Sequence, residues 1–235
     1  NIVSNLTIKT QDVSNDKYLK LYKLDTNLID HNQSYLENSL SYSRTADDYF
    51  FSFDASMFET LKETYNDKYE YILPEILYDK NLYQKDNFGI LDLQSNLKIS
   101  NYDTNKTSKI LINDFDWNSK DLNFMNGING KIIGKLKNVN FEKKNILNFK
   151  QNVTNELHGA IGYLSKLELI KETGSNNQNL LTPKFLLRYS PGSMRKEESG
   201  AKLTPDKAFS IDRSDQAYNL EKGLSATVGF DFEIK

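Results

Sequence analysis

The sequence predicts an all-β protein made of antiparallel strands, about 10–12 of them at roughly 20-residue spacing. Three observations support this fold class. Apolar and polar residues alternate over long segments, turn-forming Asn, Asp, Gly and Ser lie between those segments, and no segment combines an apolar stripe of helical period with helix caps. Aromatic residues make up 12% of a chain that is only 38% hydrophobic, as expected for sheets with a single apolar face.

The strongest predicted strand is GLSATVGFDFEI, at residues 223–234. Its period of two is unbroken, and a dozen extended residues span roughly 40 Å. This length is enough to cross a hydrocarbon layer of about 30 Å at the tilt found in barrels, and it exceeds the typical soluble strand of about five or six residues. Its apolar face consists of Leu224, Ala226, Val228, Phe230, Phe232 and Ile234.

A second long strand is predicted within LLTPKFLLRYSPGSMR, residues 180–195. Only Leu186 departs from its alternation of apolar and polar residues. Pro183 is expected near a strand end, where the missing amide donor costs little. The apolar face consists of Leu181, Pro183, Phe185, Leu187 and Tyr189, and the polar face consists of Thr182, Lys184, Arg188 and Ser190.

The remaining strands follow from further alternation along the chain. Clear period-two patterns occur in YFFSFDASM, residues 49–57, and in LDLQSNLKI, residues 91–99. Residues 173–177 predict a tight turn, whereas residues 191–219 form a long polar excursion. Short turns on one side and long loops on the other are typical of outer-membrane barrels. Weaker strands are predicted at residues 2–9, 17–24, 34–43, 69–79, 108–117, 130–142, 145–155 and 158–171.

Alternation alone does not decide which face of these strands meets water. In a soluble sandwich the apolar face points inward, whereas in a membrane barrel it points outward to lipid and the polar face lines the lumen. Strand length, low mean hydropathy and tyrosines near strand ends favour the barrel. Tyrosine is also a good strand former, so a soluble β-sandwich or solenoid that binds a ligand or glycan stays open as an alternative.

Composition excludes several classes of function. Thirty Lys and Arg against 32 Asp and Glu give a net charge of -2, so no broad basic field attracts nucleic acid as the main partner. The absence of cysteine excludes disulfides, thiolate metal sites and thiol nucleophiles. No apolar run approaches the ~18 residues of a membrane-spanning helix, so we expect any membrane crossing to be made by strands.

The sequence predicts no catalytic, cofactor or metal site. Asp114, Asp116 and Asn118 begin like a calcium loop, but the sharp-turn Gly and the bidentate Glu are missing. The glycines of GINGKIIG lack the spacing and the following helix of a phosphate loop. His31 and His158 are the only histidines, and no GxSxG, HExxH or paired-His motif accompanies them, so we expect no enzyme.

Several segments, taken in order, resemble one family, the outer-membrane lipopolysaccharide-assembly family LptD. Their order and spacing carry the resemblance, most strongly from Leu180 to Phe232. Two departures are Lys222, which stands where a second glycine is expected, and residues 128–155, which match poorly. The segments are LENSLSYSRTADDYFFSFDASMFETL, YEYILPEILYD with Pro74 inside a strand, LLTPKFLLRYSPGSMR, AFSIDR and LEKGLSATVGFDF.

The resemblance implies that residues 1–235 are a single partial domain, an internal fragment of a very large antiparallel transmembrane β-barrel. The sheet would then be curved and open, without the N-terminal jelly-roll and the closing barrel strands. The implied role is assembly and insertion of lipopolysaccharide into the outer leaflet of the Gram-negative outer membrane, without cofactors. The implied partners are lipopolysaccharide, an LptE-like plug lipoprotein, the periplasmic transport bridge reached through the missing N-terminal domain, and outer-membrane lipids.

The resemblance also assigns the two faces of the strands. Luminal cations would meet the anionic sugars of lipopolysaccharide, the plug protein, or luminal carboxylates such as Asp231, and we favour the carboxylates. Another outer-membrane barrel, either a passive porin or a substrate receptor, is the main alternative function. The implied lumen-facing residues are Lys184, Arg188, Asp212, Arg213 and Asp231, and the implied lipid-facing residues are Phe185, Leu187, Tyr189, Leu224, Val228, Phe230 and Phe232.

Overall fold

The structure, a computed structural model, describes residues 2–62, 68–102, 105–124, 127–147, 152–172, 178–193, 203–214 and 217–234. Most of these residues lie in strands, so the predicted all-β class is confirmed. Two short helical segments are α1 (Tyr18–Tyr22) and a 3-10 turn at Pro205–Lys207. The strands are β1 (Val3–Lys9), β2 (Tyr35–Thr45), β3 (Tyr49–Thr60), β4 (Tyr69–Lys85), β5 (Gly89–Tyr102), β6 (Lys106–Asn118), β7 (Leu122–Asn123), β8 (Ile128–Lys144), β9 (Thr154–Leu167), β10 (Leu169–Glu172), β11 (Gln178–Ser190) and β12 (Gly223–Ile234).

The twelve strands form one antiparallel sheet in which most chain neighbours are also sheet neighbours. From β1 to β6 the order in the sheet follows the chain, and β8, β9 and β11 come next. The short strand β7 pairs with β8, and both β10 and β12 pair with β11. Among the described residues, β1 and β12 do not pair with each other, so the sheet is not closed. The prediction of an open antiparallel sheet of about 10–12 strands is therefore confirmed.

The chain divides into two compact units. Unit 1 comprises residues 1–80, 94–112 and 139–155, and unit 2 comprises residues 81–93, 113–138 and 156–235. The core of unit 1 joins Leu19 of α1 to Leu36 of β2 and Leu61 after β3, with Val13, Tyr18 and Ile29 packed against them. This cluster anchors the non-strand segment between β1 and β2.

One predicted strand in unit 1 is wrong, because residues 17–24 contain helix α1 instead. Tyr18 and Tyr22 satisfy a period of two, but they also stand four residues apart, which places them on one side of a helix. Their ring centroids are 4.8 Å apart, and Leu19 reaches the core. The left-handed backbone of Lys23, with φ 49° and ψ 48°, ends the helix.

Two further predictions concern connections. The strand predicted at 145–155 is wrong for residues 145–147 and 152–153, which are not in a strand, and residues 148–151 lie outside the described residues. Asn145 has a φ of 59°, a left-handed conformation that ends β8. The tight turn predicted at 173–177 also lies outside the described residues.

Proline 183 lies inside β11, not near a strand end as expected. On one side β11 pairs with β12 without interruption, and Pro183 is opposite Phe230. On the other side β9 and β10 pair with β11 in one continuing register, but the pairing stops between Lys166 and Leu169. A proline has no amide N–H to donate to the neighbouring strand. The break between β9 and β10 therefore lies beside Pro183.

Candidate functional site

The pairing of β9, β11 and β12 in unit 2 places polar side chains together on one face of the sheet. Arg188 of β11 is opposite Gly162 of β9 and Ser225 of β12. Directly opposed residues in antiparallel strands share a face. We call this the polar face, and its members on β11 and β12 are Thr182, Lys184, Leu186, Arg188, Ser190, Ser225, Thr227, Gly229 and Asp231.

The opposite face of the same strands is apolar and exposed. Val228 is 79% exposed, Phe230 68% and Phe232 57%. The β11 residues beside them, Leu187 and Tyr189, are also exposed. We call this the apolar face, and it consists of the seven residues that sequence analysis assigned to lipid, Phe185, Leu187, Tyr189, Leu224, Val228, Phe230 and Phe232.

The polar face, by contrast, is covered around Arg188, whereas Asp231 at its far end is exposed. Arg188 and Leu186 are each 1% exposed, Ser190 is fully buried and Thr182 is buried. Leu186 was the residue that departed from the alternation, and its burial between Lys184 and Arg188 explains why an apolar side chain is tolerated there. In these strands the polar side chains around Arg188 are buried and the apolar side chains are exposed. A soluble sheet shows the reverse pattern.

The cover is a segment between β11 and β12, which we call the strap and define as residues 203–214 and 217–222. Two strand glycines provide the space for its apolar side chains. A Cβ atom at Gly229 would lie 3.0 Å from Cζ of Phe209, and one at Gly162 would lie 3.2 Å from Cδ1 of Ile211. Close approach of this kind requires glycine, so the face is shaped to receive the strap.

Polar contacts also attach the strap to the sheet. The Nε of Arg188 donates a hydrogen bond of 2.6 Å to the carbonyl of Ile211, and its Nη2 donates to the carbonyl of Glu221. The Nη1 of Arg188 lies 3.7 Å from the Glu221 carboxylate. Arg213 donates from Nε to the same carboxylate at 2.8 Å and from Nη1 to Oγ1 of Thr227 at 3.3 Å.

These contacts continue into a buried group of ion pairs, which we call the charged layer. Lys137 of β8 lies 3.4 Å from Asp212 of the strap and 3.8 Å from Asp114 of β6, with its side chain only 4% exposed. Lys135 contacts Asp116 at 2.9 Å. The layer balances four cations against four carboxylates, its members being Lys135, Lys137, Arg188, Arg213, Asp114, Asp116, Asp212 and Glu221.

Outside the strands, the ion pairs of the strap shift acid–base equilibria. The hydrogen bond from Arg213 lowers the pKa of the Glu221 carboxyl, and Arg188 acts in the same direction. The same hydrogen bond raises the pKa of Arg213. Burial, followed by repulsion from Arg188, lowers the pKa of Lys222. The strap therefore favours Glu221 in its ionised form.

A cavity of about 490 Å³ lies on the same face and includes Phe209 of the strap in its lining. Lys184 extends into it, 5.7 Å from the centroid of the Phe209 ring. Lys184 also forms an ion pair with Asp231. This is the pairing with a carboxylate that sequence analysis favoured over contact with an external anion.

All five residues assigned to the lumen by resemblance lie on the polar face or on the strap. Lys184, Arg188 and Asp231 belong to strands, while Asp212 and Arg213 belong to the strap. Sequence analysis missed five members of the charged layer. Four of them were visible as alternating charges in β6 and β8, whereas Glu221 stands in a loop without such a signal, and the five are Asp114, Asp116, Lys135, Lys137 and Glu221.

Two residues of the calcium-like motif have a clear place in this arrangement. Asp114 and Asp116 lie within strand β6, not in a loop, and both pair with Lys135. The carboxylates that would bind a calcium ion are instead paired with a lysine ammonium group. The motif therefore belongs to the charged layer.

Unit 1 contains one group of potential metal ligands among the residues that the structure describes. The ligand atoms of Asp25, Asp30 and His31 lie within 4.8 Å of one another. Nδ1 of His31 contacts Asp25 at 2.7 Å, and hydrogen bonds from His31 lower the pKa of Asp25. Both carboxylates are exposed, so the group is a surface ion pair that supports no metal site by itself.

Across the described ranges, no helix has both the length and the apolar character needed to cross a bilayer. No protein-family model matches the chain, and no curated protein matches it in sequence.

Proposed function

We propose that the chain forms part of the wall of a β-barrel in the outer membrane of a Gram-negative bacterium. One observation carries this proposal: the apolar face of β11 and β12 is exposed, while their polar face is covered around Arg188. In water, an exposed row such as Leu224, Val228, Phe230 and Phe232 costs free energy, at about 25 cal/mol per Å² of apolar surface. Lipid removes that cost, and an apolar exterior is what barrel strands present to a bilayer.

Within this setting we assign the chain to the assembly and insertion of lipopolysaccharide in the outer leaflet. The support is the ordered resemblance of five segments to the LptD family, concentrated between Leu180 and Phe232. The work is physical and involves no covalent step. Strands with an apolar exterior remain in the bilayer, while a polar interior accommodates hydrated saccharide, with an LptE-like lipoprotein and a periplasmic bridge as partners.

Photo-crosslinking side chains along β12 test the orientation of the wall. In the membrane-embedded protein, crosslinkers at Val228 and Phe230 should label lipid, whereas crosslinkers at the neighbouring Thr227 and Asp231 should not. The neighbouring sites are matched controls because each lies one residue away on the other face. Equal labelling at all four sites, or labelling at Thr227 and Asp231 alone, would overturn the membrane proposal.

Depletion of the protein in the organism that carries it separates lipopolysaccharide assembly from a passive pore. Loss of a lipopolysaccharide-assembly protein should reduce newly made lipopolysaccharide at the cell surface before solute uptake changes. A porin or substrate receptor should show the reverse order. Reduced solute uptake with normal surface lipopolysaccharide would therefore contradict the assembly role and support the role of a porin or receptor.

A further inference from the structure

We propose that the strap is a removable closure over the polar face, locked by the contact of Glu221 with Arg188 and opened by an oxyanion that takes the place of the Glu221 carboxylate. The removable strap rests on its own contacts. The further statement that it narrows a lumen rests on the proposed function, since only in a barrel does the polar face line a channel.

The connections of the strap allow it to leave without breaking the sheet. β11 and β12 pair continuously from Asn179 and Ile234 to Ser190 and Gly223. The strap is the connection beyond the last of these pairs, so no described ladder hydrogen bond depends on it. Lifting the strap therefore costs its own contacts and leaves both strands paired.

Glycines lie on both sides of the strap: Gly223 follows it directly, and Gly192 precedes it, with residues 194–202 between them outside the described residues. Gly192 has a φ of 98° and Gly223 a φ of 101°, and no atom lies within 4 Å of the position of a Cβ at either residue. Glycine adopts this left-handed backbone without steric cost, and open space around it permits a change of φ and ψ. Hinges of closing segments are typically positions of this kind.

The lock is polar and centres on one arginine of the sheet, while Lys137 and Thr227 make further contacts with Asp212 and Arg213 of the strap. In the described residues, every hydrogen-bond or ion-pair partner of the Arg188 side chain belongs to the strap: the carbonyl of Ile211 and the carbonyl and carboxylate of Glu221. Buried ion pairs contribute little net stability compared with apolar packing. The polar contacts therefore fix the position of the strap, and the apolar contacts of Phe209, Ile211 and the buried Leu220 add to its stability.

Release of the strap leaves Arg188 as a guanidinium without these partners. A guanidinium binds carboxylate and phosphate oxygens with matching geometry. Glu221 already provides such an oxyanion from within the chain, so an external phosphate or carboxylate competes for the same group. The ligand class that opens the strap is thus an oxyanion.

Cysteine accessibility tests the closure directly, because the native chain contains no cysteine. Leu220 of the strap is fully buried, so Leu220→Cys reports release through its rate of reaction with a charged maleimide. In the full-length, membrane-embedded protein, adding Arg188→Gln should raise that rate about tenfold or more, as expected for loss of a charge-assisted hydrogen bond. Arg44→Gln in β2 of unit 1, the matched control, should leave the rate unchanged.

Two additional experiments, one with a second variant and one with an added oxyanion, complete the test. Glu221→Gln removes the carboxylate that contacts Arg188 and pairs with Arg213, and it keeps the main-chain carbonyl that Arg188 binds. It alters no strand, and it should raise the rate even if Arg188→Gln impairs folding. Pyrophosphate should accelerate labelling when Arg188 is present and should have no effect in the Arg188→Gln background, relative to sodium chloride of equal ionic strength. An unchanged rate in Glu221→Gln, or equal acceleration by both salts, would overturn the proposal.

Conductance of the reconstituted protein tests the link to a lumen. Arg188→Gln and Glu221→Gln should each increase single-channel conductance, whereas Arg44→Gln should not. Faster labelling of Leu220→Cys without increased conductance would overturn the statement that the strap narrows a lumen. Failure of lipid labelling at Val228 and Phe230 would instead remove the membrane proposal and leave the removable strap intact.

Discussion

Unit 1 and unit 2 each cover strands with a segment that is not a strand, but only the segment of unit 2 adds buried ion pairs to its apolar contacts. In unit 1, the segment containing α1 packs through Leu19 onto Leu36 and Leu61. In unit 2, the strap is held by contacts to Arg188 and by the pairs of the charged layer. Apolar burial does not depend on protonation, whereas an ion pair does. A change of protonation is therefore expected to release the strap of unit 2 and to leave the α1 segment of unit 1 in place.

Replacing Leu36 by alanine should give the largest effect. Leu36 is fully buried in the core of unit 1, and truncation of a buried leucine costs about 2–5 kcal/mol because a cavity remains. Urea unfolding of the detergent-solubilised protein measures this loss. Leu40→Ala in the same strand is the matched control, since Leu40 is 40% exposed and should lose much less. Equal losses at both positions would contradict the core assigned to unit 1.

Loss of the Glu221 charge should release the strap without affecting the core of unit 1. Because the pKa of Glu221 is lowered by Arg213 and Arg188, the docked strap is stabilised above the ordinary glutamate pKa of about 4.3. That stabilisation is lost as pH falls through the lowered pKa. A nitroxide attached through Ala217→Cys should therefore become mobile in acid, at a pH below the ordinary glutamate pKa. The neighbouring charges are Asp212, Lys222, Arg188 and Arg213.

Glu221→Gln provides the control for this pH response. The variant should lose docking free energy at pH 7, because it lacks the charge that lies 3.7 Å from Nη1 of Arg188. Its label should be mobile at neutral pH, and acid should change it little. A label with the same mobility in both proteins from pH 7 to pH 3.5 would show that Glu221 does not lock the strap.

Filling the space beneath Phe209 should weaken docking by steric means. In Gly229→Ala the new methyl group would approach Phe209 to 3.0 Å, and overpacking of this kind costs about 1 kcal/mol where a side chain can shift. Leu220→Cys should then react faster with maleimide. Gly159→Ala in β9 is the matched control because its nearest neighbour, Leu136, lies 3.7 Å away. Identical labelling rates in the two variants would contradict contact between Phe209 and β12.

The comparison between the units also shows which features a sequence reveals. Period-two alternation is a local property of a strand, so it located β3, β5, β11 and β12 from short segments. It failed for Tyr18 and Tyr22 because a spacing of four fits both a strand and a helix. It also failed for Pro183, whose position depends on where the neighbouring strand stops.

The contacts that place the strap could not be predicted in the same way. Arg188 and Ile211 are 23 residues apart, and Lys137 and Asp212 are 75 residues apart. Pairings over such separations depend on which strands become neighbours, which alternation does not specify. Leu186 was the one local signal, since an apolar residue on a charged face indicates that something covers it.

Thr227→Val should give the smallest effect and define how far the lock extends. The substitution keeps the shape of the side chain but removes the hydroxyl that accepts a hydrogen bond of 3.3 Å from Arg213. Arg213 retains its contacts with Glu221, so we expect a loss of about 0.5–1.5 kcal/mol of docking free energy, read as a modest rise in Leu220→Cys labelling. Thr7→Val, at an exposed position of β1, should leave labelling unchanged. A Thr227→Val effect as large as that of Glu221→Gln would mean that the strap is anchored to β12 through Arg213, and the lock would then have to be reassigned from Arg188 to that strand.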